Sequence, residues 1–163
     1  MALVMARIDD RLVHGQVIVG CCEPLDADRL LVCDTTVAAD ALRRSLFTAA
    51  APPEIEIEFV DPEHALDRVQ AARDDAAHDT ILLTRDAHTM GRLVEAGAVL
   101  EHVVIGGAHD GPETTEITDG YFLTRADRVA LRTMIGRGVS VCFQPVPGSP
   151  VVDAAPILGA DAS

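Results

Sequence analysis

The sequence predicts an α/β protein built on an open, mostly parallel twisted sheet with helices on both faces. Short aliphatic runs such as Leu30–Cys33, Thr80–Thr84 and Val103–Ile105 alternate along the chain with longer segments of helical periodicity. The runs are apolar almost without interruption, as strands covered on both faces must be. With 48% hydrophobic residues but only 3% aromatics and no Trp, the core has to be aliphatic. A chain of 163 residues reads as a single domain over 1–163, with no linker composition and no internal repeat.

Taken in order, Ala2 to Ala6 form a short buried strand and the charged Arg7-Ile8-Asp9-Asp10-Arg11 segment a loop. Gly15 to Cys22 is helical, stopped by Glu23-Pro24 because proline cannot continue a helix. Leu30 to Cys33 is the second strand. Ala39 to Ala51 is a helix with Leu42, Leu46 and Phe47 on one face and Arg43 and Arg44 on the other, ended by Pro52-Pro53. Ile55, Ile57 and Phe59 alternate with Glu54, Glu56 and Glu58, which predicts a strand near a sheet edge. Asp61-Pro62-Glu63 carries N-cap chemistry for a helix running to about Ala77. Thr80 to Thr84 is a strand, and Asp86 to Ala96 a helix with Gly97 as its C-cap. Val103 to Ile105 is a strand leading into Gly106-Gly107. Asp110 to Asp119 reads as an irregular connection and Tyr121-Phe122-Leu123 as a very short strand. Arg125 to Arg137 is a helix closed by Gly138, and Val139 to Phe143 the last strand. The Pro-, Gly- and Ala-rich tail after Gln144, from about residue 145, is expected to be mobile.

Composition narrows the function. A net charge of −13 disfavours nucleic acid and anionic membranes, since both call for a basic surface. All 13 basic residues are Arg, which excludes Schiff-base or general-base lysine chemistry and draws attention to guanidinium groups near any anion site. Cys21, Cys22, Cys33 and Cys142 lie in apolar runs and read as reduced, buried thiols, hence a cytoplasmic setting. The N-terminal residues lack a leader-like pattern, and no run approaches membrane-spanning length, so no direct membrane insertion is expected.

The candidate chemistry centres on His14, which stands at a strand-to-helix boundary, the place where open α/β sheets gather their ligands. Neutral imidazole is a good nucleophile near neutral pH. A phosphoryl group on it would meet backbone N–H groups of Gly15, Gln16 and Val17 at a helix start, with Arg11 supplying a two-pronged contact. Asp9 or Asp10 can pair with Arg7 or Arg11, or hold one ring nitrogen so that the other attacks. Gly106 and Gly107 can bring backbone close to this loop, though a plain turn would use them equally well. His109 follows them as a second proton-active group or an ordinary exposed loop histidine. The rival reading is a metal site of Asp9, Asp10 and His14. It lacks further ligands, because His64, His78, His88, His102 and His109 are dispersed without HxH or HExxH spacing. No Walker A, GxGxxG or nucleophile-elbow pattern occurs.

The segment Arg7-Ile8-Asp9-Asp10-Arg11-Leu12-Val13-His14-Gly15-Gln16-Val17 resembles the active-site segment of the IIB components of the mannose/fructose/sorbose family of the bacterial sugar phosphotransferase system (PTS). The likeness continues colinearly through Arg29–Cys33, Ala50–Pro53, Ile105–Gly107 and Gly138-Val139. It implies a cytoplasmic phosphoryl carrier, a component of a protein-N(pi)-phosphohistidine–sugar phosphotransferase. In that family the histidine matching His14 takes phosphate from a IIA protein and passes it to a sugar during uptake through membrane IIC and IID components. The arginine matching Arg11 meets the phosphoryl group. Positioning and charge suffice for this chemistry, so no metal and no cofactor are expected. Cys21 stands where relatives often carry Trp, and Asp34-Thr35-Thr36 where they often have Asn-Asp-Asp. Drift of that kind leaves an alternative, a regulatory phosphoprotein module read by another protein without sugar transport. The sequence names neither the sugar nor the reacting ring nitrogen, and it leaves a homo-oligomer open.

Overall fold

A computed structural model describes residues 3–159. Seven strands form one sheet: β1 (Leu3–Asp9), β2 (Arg29–Cys33), β3 (Glu56–Val60), β4 (Thr80–Thr84), β5 (His102–Gly107), β8 (Ser140–Phe143) and β9 (Val152–Asp153). Their order is β3-β2-β4-β1-β5-β8-β9, with every pair parallel except β8 with β9. The strand with the acidic alternation, β3, is an edge as its pattern predicts. Ala2, assigned above to the first strand, lies outside the described residues.

Alternate residues of each strand feed two cores. On one face Ile8, Leu82, Val103 and Ile105 pack with residues of α5 (Leu66–Asp74), α6 (Ala87–Glu95), α7 (Arg125–Gly136) and α8 (Ala154–Gly159). On the other, Leu30, Val32, Ile81 and Leu83 pack with the helical run after β1, with Val37 of α3 (Thr35–Ala38) and with Phe47 of α4 (Ala41–Ala50). The chain therefore leaves β1 over one face and reaches β8 from β5 over the other. The connections thus diverge at the carboxyl ends of the neighbouring strands β1 and β5, the position in which such sheets bind ligands.

Several local expectations are corrected. The helix after His14 does not stop at Glu23-Pro24: α1 (Gly15–Val17) continues as a π-helical stretch (Ile18–Cys22) and then α2 (Glu23–Leu25). The wider i→i+5 turns spread the carbonyls that an α-turn would crowd against the Pro24 ring, and the run ends instead at Asp26, in the left-handed region with φ 51°. In α4 the apolar face is only partly used, with Phe47 alone of its three large apolar side chains packed on the core. Leu42 and Leu46 are 70% and 62% exposed, while Arg44 turns inward and donates to the carbonyls of Val37 and Ala38. Carbonyls in the last turn of α3, which lack a full set of helical partners, take that guanidinium.

The predicted irregular stretch 110–119 contains β6 (Thr115–Thr118), which pairs antiparallel with β7 (Tyr121–Leu123) across an Asp119-Gly120 turn with Gly120 at φ 77°. The tail expected to be mobile is instead folded through Gly159. It adds β9 to the sheet edge, buries Ala154 and Leu158, and gives the Leu158 carbonyl to Arg132 Nε at 3.0 Å. Ala154 and Leu158, one helical turn apart, and the partly buried Ile157 form the apolar face that docks it. The helix expected from Asp61 to about Ala77 begins as a 3₁₀ turn (Pro62–His64), with Asp61 capping Glu63 N–H, and ends at Asp74.

Candidate functional site

Asp9 is the last residue of β1 and is fully buried. A carboxylate without water must be hydrogen-bonded on all sides, and this one is. Oδ2 receives Arg7 Nη2 at 2.9 Å and Nε at 3.3 Å, Oδ1 receives the backbone N–H of Arg11 at 3.1 Å, and Oδ2 lies 2.9 Å from His14 Nε2. Arg7 is itself fully buried, so the charges compensate one another inside the protein.

This pair explains the two glycines at the end of β5. A Cβ on Gly106 would overlap the Arg7 guanidinium, and one on Gly107 would stand 2.8 Å from Asp9 Oδ1. Neither marks a turn: both are strand residues, and Asp9 is in register with Gly107. They make room for the ion pair beneath the loop. Burial pushes the nearby Cys21 thiol above its ordinary value, with Arg7 pulling partly back.

The loop after Asp9 is held from below by Leu12, whose side chain is fully buried in the second core although its backbone is left-handed at φ 55°. Such a conformation is uncommon for a leucine and persists here because the core fixes the side chain. His14 follows as the N-cap of α1, and its Nδ1 accepts the backbone N–H of Gln16 at 3.3 Å. An amide can only donate and a carboxylate only accept, so this network assigns the neutral ring's proton to Nε2 and its lone pair to Nδ1.

Of the residues singled out by sequence, Asp9, Arg11, His14, Gly15 and Gln16 come together at this loop. Gln16 also accepts Arg11 Nη2 through its side chain at 3.2 Å, which directs a half-exposed guanidinium along the loop. Val17 is the exception: its N–H turns back to the His14 carbonyl at 3.0 Å and its side chain is buried. Asp10 takes partners of its own rather than His14. Its carboxylate pairs with His109 at 2.7 Å, and its carbonyl accepts Arg85 Nη1 at 3.2 Å. Sequence reasoning missed Arg85, which also donates Nε to Asp34 Oδ2 at 3.0 Å; its position just past the end of β4 was the available signal. Among the described residues no three or more His, Cys, Asp or Glu are grouped to hold a metal ion, and no helix is long and apolar enough to cross a membrane. The four cysteines are free, Cys142 being only half-buried where full burial was expected.

Comparison with known proteins agrees with this geometry. Residues 3–163 match the family model of the PTS system sorbose subfamily IIB component. The chain is 34% identical over 148 residues to N-acetylgalactosamine-specific phosphotransferase enzyme IIB component 1 of Escherichia coli, covering 90% of this chain and 92% of that one. It is 31% identical over 150 residues to the mannose-specific EIIAB component of the same organism, and spans only 46% of that longer protein's length. The crystal structure of the IIB domain of the sorbose permease from Klebsiella pneumoniae superposes with a TM-score of 0.86 at 29% identity, covering 99% of both chains. With the family model matching nearly the whole chain and the same open, mostly parallel sheet found in a solved IIB domain, the chain belongs to the sorbose-subfamily IIB components of the phosphotransferase system.

Proposed function

We propose that the protein is the IIB phosphoryl carrier of a sugar phosphotransferase system and that His14 Nδ1 is the acceptor atom. The observation that carries this is the ring's fixed orientation: Asp9 holds Nε2 at 2.9 Å while Nδ1 faces the Gln16 amide at the helix start. In the transfer, the Nδ1 lone pair attacks the phosphorus of a phosphohistidine on a IIA protein, and the donor's N–P bond breaks with its electron pair returning to the IIA imidazole nitrogen. The imidazole becomes positively charged as it does so, and the buried Asp9 carboxylate stabilises that charge through the Nε2 proton. The new phosphoryl oxygens gain the Gly15 and Gln16 amides and the Arg11 guanidinium.

The same reading places the protein in the cytoplasm, with a IIA domain as donor and membrane IIC and IID components holding the sugar. Relatives named for N-acetylgalactosamine, fructose, sorbose and mannose support a sugar hydroxyl as final acceptor, and the EIIAB name of the mannose protein supports a IIA partner. The finer activity is that of a protein-N(pi)-phosphohistidine–sugar phosphotransferase component. The test is labelling with [³²P]phosphoenolpyruvate, the general phosphotransferase proteins and a IIA protein. Acid-labile, base-stable label should form and be absent from His14→Ala; equal labelling of that variant overturns the proposal.

A further inference from the structure

One residue beyond Asp9, a second aspartate orients a second histidine. Asp10 Oδ1 lies 2.7 Å from Nδ1 of His109, and Oδ2 accepts the His109 backbone N–H at 2.6 Å. Since a carboxylate only accepts, the proton of a neutral His109 sits on Nδ1 and the lone pair on Nε2. That side chain is 53% exposed, so Nε2 is open to a substrate.

The two rings are held in opposite senses. His14 is gripped at Nε2 and offers Nδ1; His109 is gripped at Nδ1 and offers Nε2. Both stand on the same crest of the sheet, because Asp10 N–H donates to the Gly107 carbonyl at 3.1 Å, two residues before His109. Asp10 is also fixed from its other side, where Arg85 ties its carbonyl to Asp34. An aspartate anchored to both neighbouring strands gives the ring it holds a defined direction.

The chemistry at this crest needs a base for only one of its two steps. Moving a phosphoryl group from one imidazole nitrogen to another transfers no proton, whereas delivering it to a hydroxyl releases one. We infer that His109, oriented by Asp10, is the general base of the onward transfer, an inference that rests on the phosphoryl-carrier reading with a sugar hydroxyl as acceptor. In that step His109 Nε2 takes the hydroxyl proton and the hydroxyl oxygen forms the new P–O bond. The bond between phosphorus and His14 Nδ1 breaks, its electron pair returns to Nδ1, and His109 is left as an imidazolium beside the Asp10 carboxylate.

The test compares two discharges of the full ³²P-labelled chain. One is to unphosphorylated IIA protein, a nitrogen acceptor. The other uses membrane vesicles from cells that produce the protein, with mannose, fructose, sorbose and N-acetylgalactosamine as probes. His109→Gln should lower the ratio of sugar discharge to IIA discharge at least about tenfold, and Asp10→Asn should lower it less. A merely structural role slows both discharges together, so an unchanged ratio overturns the inference. Wild-type protein that discharges to IIA but to none of the sugars overturns it too. Wild-type protein that never takes label fails earlier, and sinks the carrier reading itself.

Discussion

Asp9 and His14 are joined at 2.9 Å between Oδ2 and Nε2, and the same oxygen also holds Arg7. One buried carboxylate thus orients the candidate nucleophile and neutralises the guanidinium beneath it. Asp9→Asn separates these roles from simple shape. The variant keeps the side-chain volume but leaves Arg7 an uncompensated buried charge, which costs about 3–5 kcal/mol. Urea denaturation should show that loss, and label acceptance in the fraction still folded should fall at least about tenfold because the ring tautomer is no longer enforced.

Two glycines near the loop should answer substitution very differently. Gly106→Ala puts a methyl group into the Arg7 guanidinium, and relief requires moving a buried ion pair. A loss of about 3 kcal/mol or more in unfolding free energy, read from urea denaturation, is expected. A Cβ on Gly15 meets nothing within 4 Å, so Gly15→Ala should stay within about 1 kcal/mol of the parent.

Arg11 is half-exposed, and its guanidinium donates to the Gln16 side chain and lies 4.0 Å from Asp9. Arg11→Ala should leave stability nearly unchanged while slowing label acceptance or shortening the phosphoprotein's half-life about tenfold. Arg11→Lys should restore only part of this, since an ammonium lacks the fork that meets two phosphoryl oxygens.

Alkaline pH should destabilise the protein through its thiols. Burial pushes Cys33 up to about 12 and Cys22 up to about 11 from the ordinary 9.0, so both stay protonated in the folded chain when the unfolded chain has begun to ionise. Above pH 9 the unfolded state therefore binds fewer protons and stability falls with rising pH, by about 1.4 kcal/mol per thiol at pH 10. Urea midpoints taken from pH 8 to 10 should decline, and Cys33→Ala should flatten the slope whatever its effect at pH 8.

The strands were legible because burial on both faces leaves an unbroken aliphatic run, as in Thr80–Thr84, whose predicted and observed bounds coincide. The site segment drew attention because charged residues beside an apolar strand need a reason to be there, but Arg7, Ile8 and Asp9, read as loop, are the end of β1, where the Arg7–Asp9 ion pair lets charge enter a buried strand. What escaped were features decided by distant partners. The inward turn of Arg44 depends on the carbonyls of another helix, and the docking of the tail on a space left beside α7 and β8. The roles of Gly106 and Gly107 require knowing that β5 lies beside β1, which no local pattern states. The hairpin is different: Asp119-Gly120 is a recognised two-residue turn signal, and the short strands around it were within reach.

Leu12 bears on how quickly such a site can work. Its left-handed backbone is held by a side chain sealed in the core, so the loop takes its shape when the protein folds and not when an anion arrives. Encounter with a partner then needs no search through loop conformers and loses little further entropy. A carrier shaped in advance in this way can be loaded and unloaded as fast as its partners collide and align, with the cost of ordering met once, during folding.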